Sequence, residues 1–261
     1  MPEYYATRSF SSYLKKNGIY VDGNLSIDNA DLKNLTQQNI KAQLEAISDF
    51  HKIASGYSEY LSEGMKNGTG KLIERFKVET KKFKRQLQRY NNLGEKTDFQ
   101  KLVIENGLDY STRAEECINE VHKWGYFDLI KRSMLRIEIC AGKTYFGDIK
   151  KETDGVKISC LDKCNYNMNE IDAFYFLSKI KKRLDKVELS NYISFFCNQE
   201  DLNINSQKFI LSLLSYPEDF IRCCSRYRDK KKSWSEEKYA AKLEKIILSD
   251  TSSPNLQGVI I

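Results

Sequence analysis

A change of apolar period near the middle of the chain does most to limit what it can fold into. On either side, apolar residues recur three and four apart, the spacing of an amphipathic helix. In Leu135-Arg-Ile-Glu-Ile139 they alternate with charges instead, which predicts a strand with one buried face. Upstream, a helix is expected over roughly 31–55, with Ile40, Leu44, Ile47 and His51 on one face and Gly56 as its stop. A second runs over about 70–90, with Leu72, Phe76, Phe83, Leu87 and Tyr90 on its apolar side. Thr112 and Glu115 have the spacing of a capping box and predict the start of a third helix, carrying Ala114, Cys117, Ile118 and Val121.

Downstream of the switch, Asp154-Gly155 predicts a hairpin turn between Ile149-Lys150 and Val156-Lys157-Ile158. Helical spacing then returns with Ile171, Phe174, Leu177 and Ser178, and again with Leu189, Tyr192, Ile193 and Phe196. Ser206 is the expected cap of a helix holding Phe209, Ile210, Leu213 and Leu214. Pro217 suits the first position of the next, which contains Phe220, Ile221 and Cys224. A last helix covers about 235–248, and 249–261 is expected to be a loose tail. Residues 1–30 are weakly patterned: Phe10, Tyr13 and Leu14 fit a short helix, and Asn17-Gly18 and Asp22-Gly23 fit turns. The fold class is therefore mainly α, with one small β-hairpin region.

Composition narrows the setting more than the chemistry. The 261 residues are 41% hydrophobic and 30% charged, ordinary for a globular domain, and the formal charge of +6 permits an acidic partner without requiring one. No apolar run reads as a signal peptide or a membrane span, so a cytoplasmic setting is expected, with no membrane partner. The seven cysteines form no CxxC pair and no disulfide framework, so reduced thiols are the default. Cys160 and Cys164 would need His51 or His122 to converge on them to complete a metal site.

Three other motifs have a sharp and a plain reading. Ala141-Gly142-Lys143-Thr144 ends like a phosphate-binding loop, but lacks the first glycine and does not open a helix. Lys143, Lys150 and Lys151 would make an anion pocket if they converged; otherwise they are lysines on a solvated hairpin edge. The basic residues of helix 70–90 invite nucleic acid, yet Glu74 and Glu79 among them favour an ordinary solvent-exposed face, so nucleic acid is disfavoured.

Four stretches carry a resemblance to a known family. They are Phe50-His51 with the residues to Ser55, Gly70-Lys71 with Phe76 and the basic helix, Cys164 to Asp172, and Leu214-Ser-Tyr-Pro-Glu-Asp-Phe220 with Arg226-Tyr227 and Trp234. Over about 36–248 the chain resembles the CotS-type spore-coat kinase-like proteins, a branch of the aminoglycoside phosphotransferase and choline kinase superfamily. The resemblance implies residues 31–248 as a kinase-like helical C-lobe, 1–30 as a vestigial N-terminal segment in place of the nucleotide-covering lobe, and 249–261 as a flexible tail. It also implies that the family's His-Gly-Asp motif falls on Ala141-Gly142-Lys143, its metal-binding Asn on Asp148, and its principal metal-binding Asp on Cys160, with Asp162 nearby. Asp172 and His51 would support the loop structurally.

Read this way, the chemistry is degraded. An ammonium with an ordinary pKa near ~10.4 cannot take a proton from a substrate hydroxyl at neutral pH, and its charge repels a metal ion. A thiol is a poor ligand for Mg²⁺. The expectation is a non-catalytic pseudokinase with no cofactor and a protein partner in spore-coat assembly, located in the mother-cell cytoplasm or the coat. The alternative is a small-molecule phosphotransferase that holds Mg-ATP weakly through Asp148 and Asp162.

Overall fold

Apolar spacing translates directly into the first long helix. In a computed structural model, which describes residues 10–25, 35–58, 64–94, 97–153, 155–184 and 188–251, Ile40, Leu44, Ile47 and His51 are all fully buried along one face of Gln37–Ala54. Thr36 caps that helix, its hydroxyl accepting from the Asn39 N–H at 3.2 Å. The start expected at residue 31 lies outside the described residues.

The described residues divide into two compact units, one formed by those within 10–70 and 124–214 and the other by those within 71–123 and 215–251. In chain order the elements of the first are α1 (10–16), β1 (Ile19–Val21), α2 (Gln37–Ala54), β2 (Lys66–Asn67), α5 (Tyr126–Arg136), β3 (Ile139–Cys140), β4 (Ile149–Glu152), β5 (Gly155–Ile158), β6 (Asn165–Tyr166), α6 (Glu170–Lys181), α7 (Leu189–Gln199) and α8 (Ile204–Ser215). Those of the second are α3 (Lys71–Leu93), α4 (Asp98–Lys123), α9 (Glu218–Arg228) and α10 (Glu236–Thr251).

Two small sheets hold the first unit's loops. One has the order β1-β5-β4, with β4 and β5 the expected antiparallel hairpin, Ile149 opposite Ile158. Asp154, half of the predicted turn, lies outside the described residues. The other has the order β2-β6-β3. Strand β1 joins β5 in parallel, Ile19 opposite Val156 and Val21 opposite Ile158. Only glycine fits at the entry to β5: Gly155 has φ +143, and a Cβ there would lie 2.2 Å from the Gly18 carbonyl oxygen. Phe10, Leu14 and Ile19 are buried, and Phe10 and Tyr13 pack their rings on Tyr57, so α1 and β1 are anchored to this unit's core by these side chains.

Every regular element among the second unit's described residues is a helix. Phe220 of α9 is its centre, with Phe83 edge-on at 5.6 Å and Tyr110 stacked at 3.8 Å. Tyr216 stacks on Phe76 at 3.7 Å and shares a hydrogen bond with Thr80. The basic residues of α3 lie mostly on its exposed side, and three of its cations pair across helices or along the chain: Arg75 with Glu218, Lys84 with Glu115, and Lys82 with Glu79.

Four local expectations differ from the structure. Leu135–Ile139 is not a strand: α5 runs to Arg136, Ile137 closes it in the left-handed region at φ 49, and only Ile139–Cys140 is extended. Leu135 is 76% exposed, so the alternation came from a helix end and a turn. Thr112 and Glu115 lie inside α4, which starts at Asp98 behind Thr97, whose hydroxyl accepts from the Gln100 N–H. Ser206 is buried within α8, whose first turn is capped by the Asn203 side chain. Pro217 stands one position before α9 as its N-cap residue.

Candidate functional site

The hairpin region of the first unit places Ala141-Gly142-Lys143 on a loop between β3 and β4. Buried polar groups must be paired, and the loop's amides find their acceptor thirty positions away. Asp172, in the first turn of α6 and fully buried, takes the Ala141 N–H at 2.7 Å on Oδ2 and the Gly142 N–H at 3.1 Å on Oδ1. Gln43 of α2 also donates to the Thr144 carbonyl at 3.0 Å and the Ile149 carbonyl at 3.1 Å. Gly142 is obligatory here: its φ is +73, and a Cβ would stand 2.4 Å from the Lys163 carbonyl oxygen. The loop therefore has little freedom to move.

Below it lies a buried ion cluster. His51 gives one ring nitrogen to Asp172 at 3.0 Å and the other to Glu200 at 2.7 Å, while Asn169 donates to the second Glu200 oxygen at 2.8 Å. Burial alone would push the imidazole pKa down, but Glu200 and Asp172 together outweigh it and raise it to about 10. His51, Cys140 and Asp172 lie close enough to suggest a metal centre. Their chemistry argues otherwise, because both ring nitrogens of a doubly hydrogen-bonded imidazolium are donors with no lone pair to give. The Cys140 thiol is held protonated by burial and donates to the Met168 carbonyl.

A second cluster ties α5, the residue before β3, α6 and α8 together. The Arg132 guanidinium forks onto Glu138 at 3.1 and 3.2 Å and onto Glu170 at 2.9 and 2.8 Å, and touches the Ser206 hydroxyl at 3.0 Å. Burial, with Glu170 adding to it, raises the Glu138 carboxyl against the pull of Arg132. None of Arg132, Glu138, Glu170, Glu200 or Gln43 was singled out from sequence. Glu138 read as the outward residue of an alternating strand, whereas it is 2% exposed.

Lys143 faces solvent beside two other groups. Its ammonium lies 3.0 Å from Cys160 Sγ and 3.7 Å from an Asp162 oxygen. Its pKa is raised, first by the bond to Cys160 and then by Asp162 and Asp148, so it stays charged. The Asp162 carboxyl is lowered by Cys160, Lys143 and Lys163, which makes it a weaker base. Asp148 folds back on its own turn and accepts from the Tyr145 N–H at 3.0 Å. Lys143 and Asp148 thus lie on one loop, Cys160 and Asp162 stand beside Lys143, and Asp172, bonded to His51, holds the loop's amides.

The sharper motif readings do not assemble. Lys150 pairs with Glu152 at 3.4 Å and Lys151 with Asp49 at 2.7 Å, so neither joins Lys143 in an anion pocket. Ala141–Thr144 leads into a turn and β4, not a helix. Cys164 is buried with its thiol pushed up by burial, and His51 is committed to its carboxylates, so His51 does not complete a metal site with Cys160 and Cys164. No described helix is long and apolar enough to cross a membrane.

No protein-family model matches the chain, and no curated protein matches it. Among solved structures it is similar to the aminoglycoside phosphotransferase from Alicyclobacillus acidocaldarius subsp. acidocaldarius DSM 446, with a TM-score of 0.67 at 10% sequence identity. The match covers 89% of this chain and 66% of that one, so the chain spans about two thirds of the enzyme's length. The likeness shows the fold: a mainly helical, kinase-like architecture of the aminoglycoside-phosphotransferase type.

Proposed function

We propose that this chain is a kinase-like protein that does not transfer phosphate and acts by binding other proteins. One observation carries the reading: the loop whose amides Asp172 grips presents an ammonium, Lys143, against a thiol, Cys160. Under the family resemblance those seats belong to the proton-accepting carboxylate and the main metal-binding carboxylate, with Ala141 in the histidine's place. Phosphoryl transfer depends almost wholly on positioned charge around the phosphate and its metal. A positioned general base is typically worth ~10²–10⁴-fold, and here both it and the principal ligand are replaced. The spore-coat setting, the mother-cell or coat location and the protein partner come from the resemblance to CotS-type proteins. No cofactor is required by this reading.

A second reading has its own support. Asp162 and Asp148 both act on Lys143 and both offer oxygen, the ligand type Mg²⁺ prefers, and the structural neighbour is an aminoglycoside phosphotransferase. On that reading the chain holds Mg-ATP weakly through Asp148 and Asp162. Thermal denaturation with ATP, in Mg²⁺ and in chelator, separates the two. The non-catalytic reading expects no Mg²⁺-dependent rise in melting temperature. A saturable rise that needs Mg²⁺ and vanishes in Asp148→Ala establishes the alternative.

A further inference from the structure

A groove of about 920 Å³ in the second unit combines charge with aromatic rings on one concave wall. Its size is that of a small-molecule site. One wall is the outer face of α3; the other is the end of α9 with the segment leading into α10. Lys82 and Arg228 line it already paired, each 3.4 Å from Glu79, and Arg228 also lies 2.8 Å from Asp229. Arg85, Arg89, Lys230 and Lys232 line it with no ion pair to any described acidic residue. Glu236 is the acid on the described wall, and it takes the Tyr227 hydroxyl.

Four unneutralised cations around one hollow repel one another unless a counter-charge enters it. A solvated basic face accounts for Lys81 and Lys84, which stand on the exposed side of α3 outside the groove. It does not account for a concavity that also carries Tyr90, Trp234 and Tyr239. Trp234 is half-buried, 5.2 Å from Tyr239, with the Lys238 ammonium 5.3 Å from its ring centre. Gln86 on the same wall is 6% exposed; its amide nitrogen donates to the Tyr90 hydroxyl at 3.0 Å and its oxygen has no partner. Turning the amide over moves the deficit to the nitrogen without curing it.

We infer that this groove binds a small organic polyphosphate carrying a flat ring, of the nucleoside-polyphosphate class. Its phosphates lie among Arg85, Arg89, Lys230 and Lys232, and its ring lies against Trp234. Two arginines four apart on a helix present planar forks suited to phosphate oxygens. An aromatic side chain with a cation beside it suits a heterocycle. The inference is independent of the reading of Lys143, since every residue it uses belongs to the second unit.

The chain has two tryptophans, so Trp124→Phe leaves Trp234 as the sole indole reporter. Emission is titrated with ATP in chelator, without Mg²⁺. The expected result is saturable quenching, weakened roughly tenfold or more by Arg85→Gln with Arg89→Gln, both exposed positions whose change leaves the melting temperature in place. Inorganic tripolyphosphate should compete, more weakly than ATP. Asp148→Ala should leave the titration unchanged, which separates this site from the loop in the first unit. Calorimetric titration of the unsubstituted protein gives the same reading if Trp124→Phe fails to fold. Absence of saturation up to millimolar ATP overturns the inference, as does quenching that the double substitution leaves intact. Tighter binding of a single-stranded oligonucleotide than of ATP also overturns it, assigning the groove to a polymer.

Discussion

The loop at Lys143 and the ion clusters that hold it differ most in access to water. His51 and Asp172 are wholly buried, as are the carboxylates of Glu138 and Glu170. Lys143 and Asp162 are 41% and 57% exposed. A charge taken out of water must be met by partners or the fold pays several kcal/mol, so the buried residues are locked to one another. Charges in water interact weakly and are screened, so the exposed loop residues can change identity with little effect on folding. The difference explains how a chain can keep a site's framework, with Asp172 on two loop amides, while carrying an ammonium and a thiol at its rim.

Substitutions can break that contrast. The largest effect is expected from Arg132→Ala, which strands two buried carboxylates; loss of about 3–5 kcal/mol is expected, read from urea denaturation. Arg132→Lys should recover only part of it, because an ammonium cannot fork onto Glu138 and Glu170 together. A pH series probes the other cluster. The imidazole's pKa rises on folding from 6.5 to about 10, so its contribution is fully present below 6.5 and fades as pH climbs toward 10. Stability should therefore fall over that window, and His51→Gln should flatten the decline.

Smaller effects sharpen the comparison. Gly142→Ala combines a positive φ with a Cβ 2.4 Å from a backbone oxygen, and about 1–3 kcal/mol of destabilisation is expected. Lys143→Ala, two atoms of chain away, should leave the denaturation midpoint unchanged. A large shift there would mean that the rim is part of the framework after all.

Much of the scaffold is legible in spacing, because burial on a helix repeats every three or four residues. Ile40, Leu44 and Ile47 show it, and the β4–β5 hairpin shows the two-residue counterpart. What spacing hides are contacts between polar residues far apart in sequence. Arg132 meets Glu170 across 38 positions, and His51 meets Glu200 across 149. No local pattern distinguishes such carboxylates from solvated ones. Glu138 was misread for that reason, its flanking isoleucines suggesting an outward face in a strand. Thr112 and Glu115 mislead differently: a cap's spacing also occurs inside a helix, and only the run from Phe99 to Val121 reveals that α4 continues through them. At the loop itself, residue types were readable but their neighbours were not, since Lys143 and Cys160 are joined only by the return of the hairpin.

The most direct test follows the γ-phosphate. Incubating the protein with Mg-ATP and a panel of hydroxyl acceptors, with ADP and phosphorylated products followed by ³¹P NMR, should give only the rate seen without protein. ADP formation well above that rate, lost on Asp162→Ala or Asp148→Ala, would show that a carboxylate at the rim does the work assigned to none, and the non-catalytic account would fall.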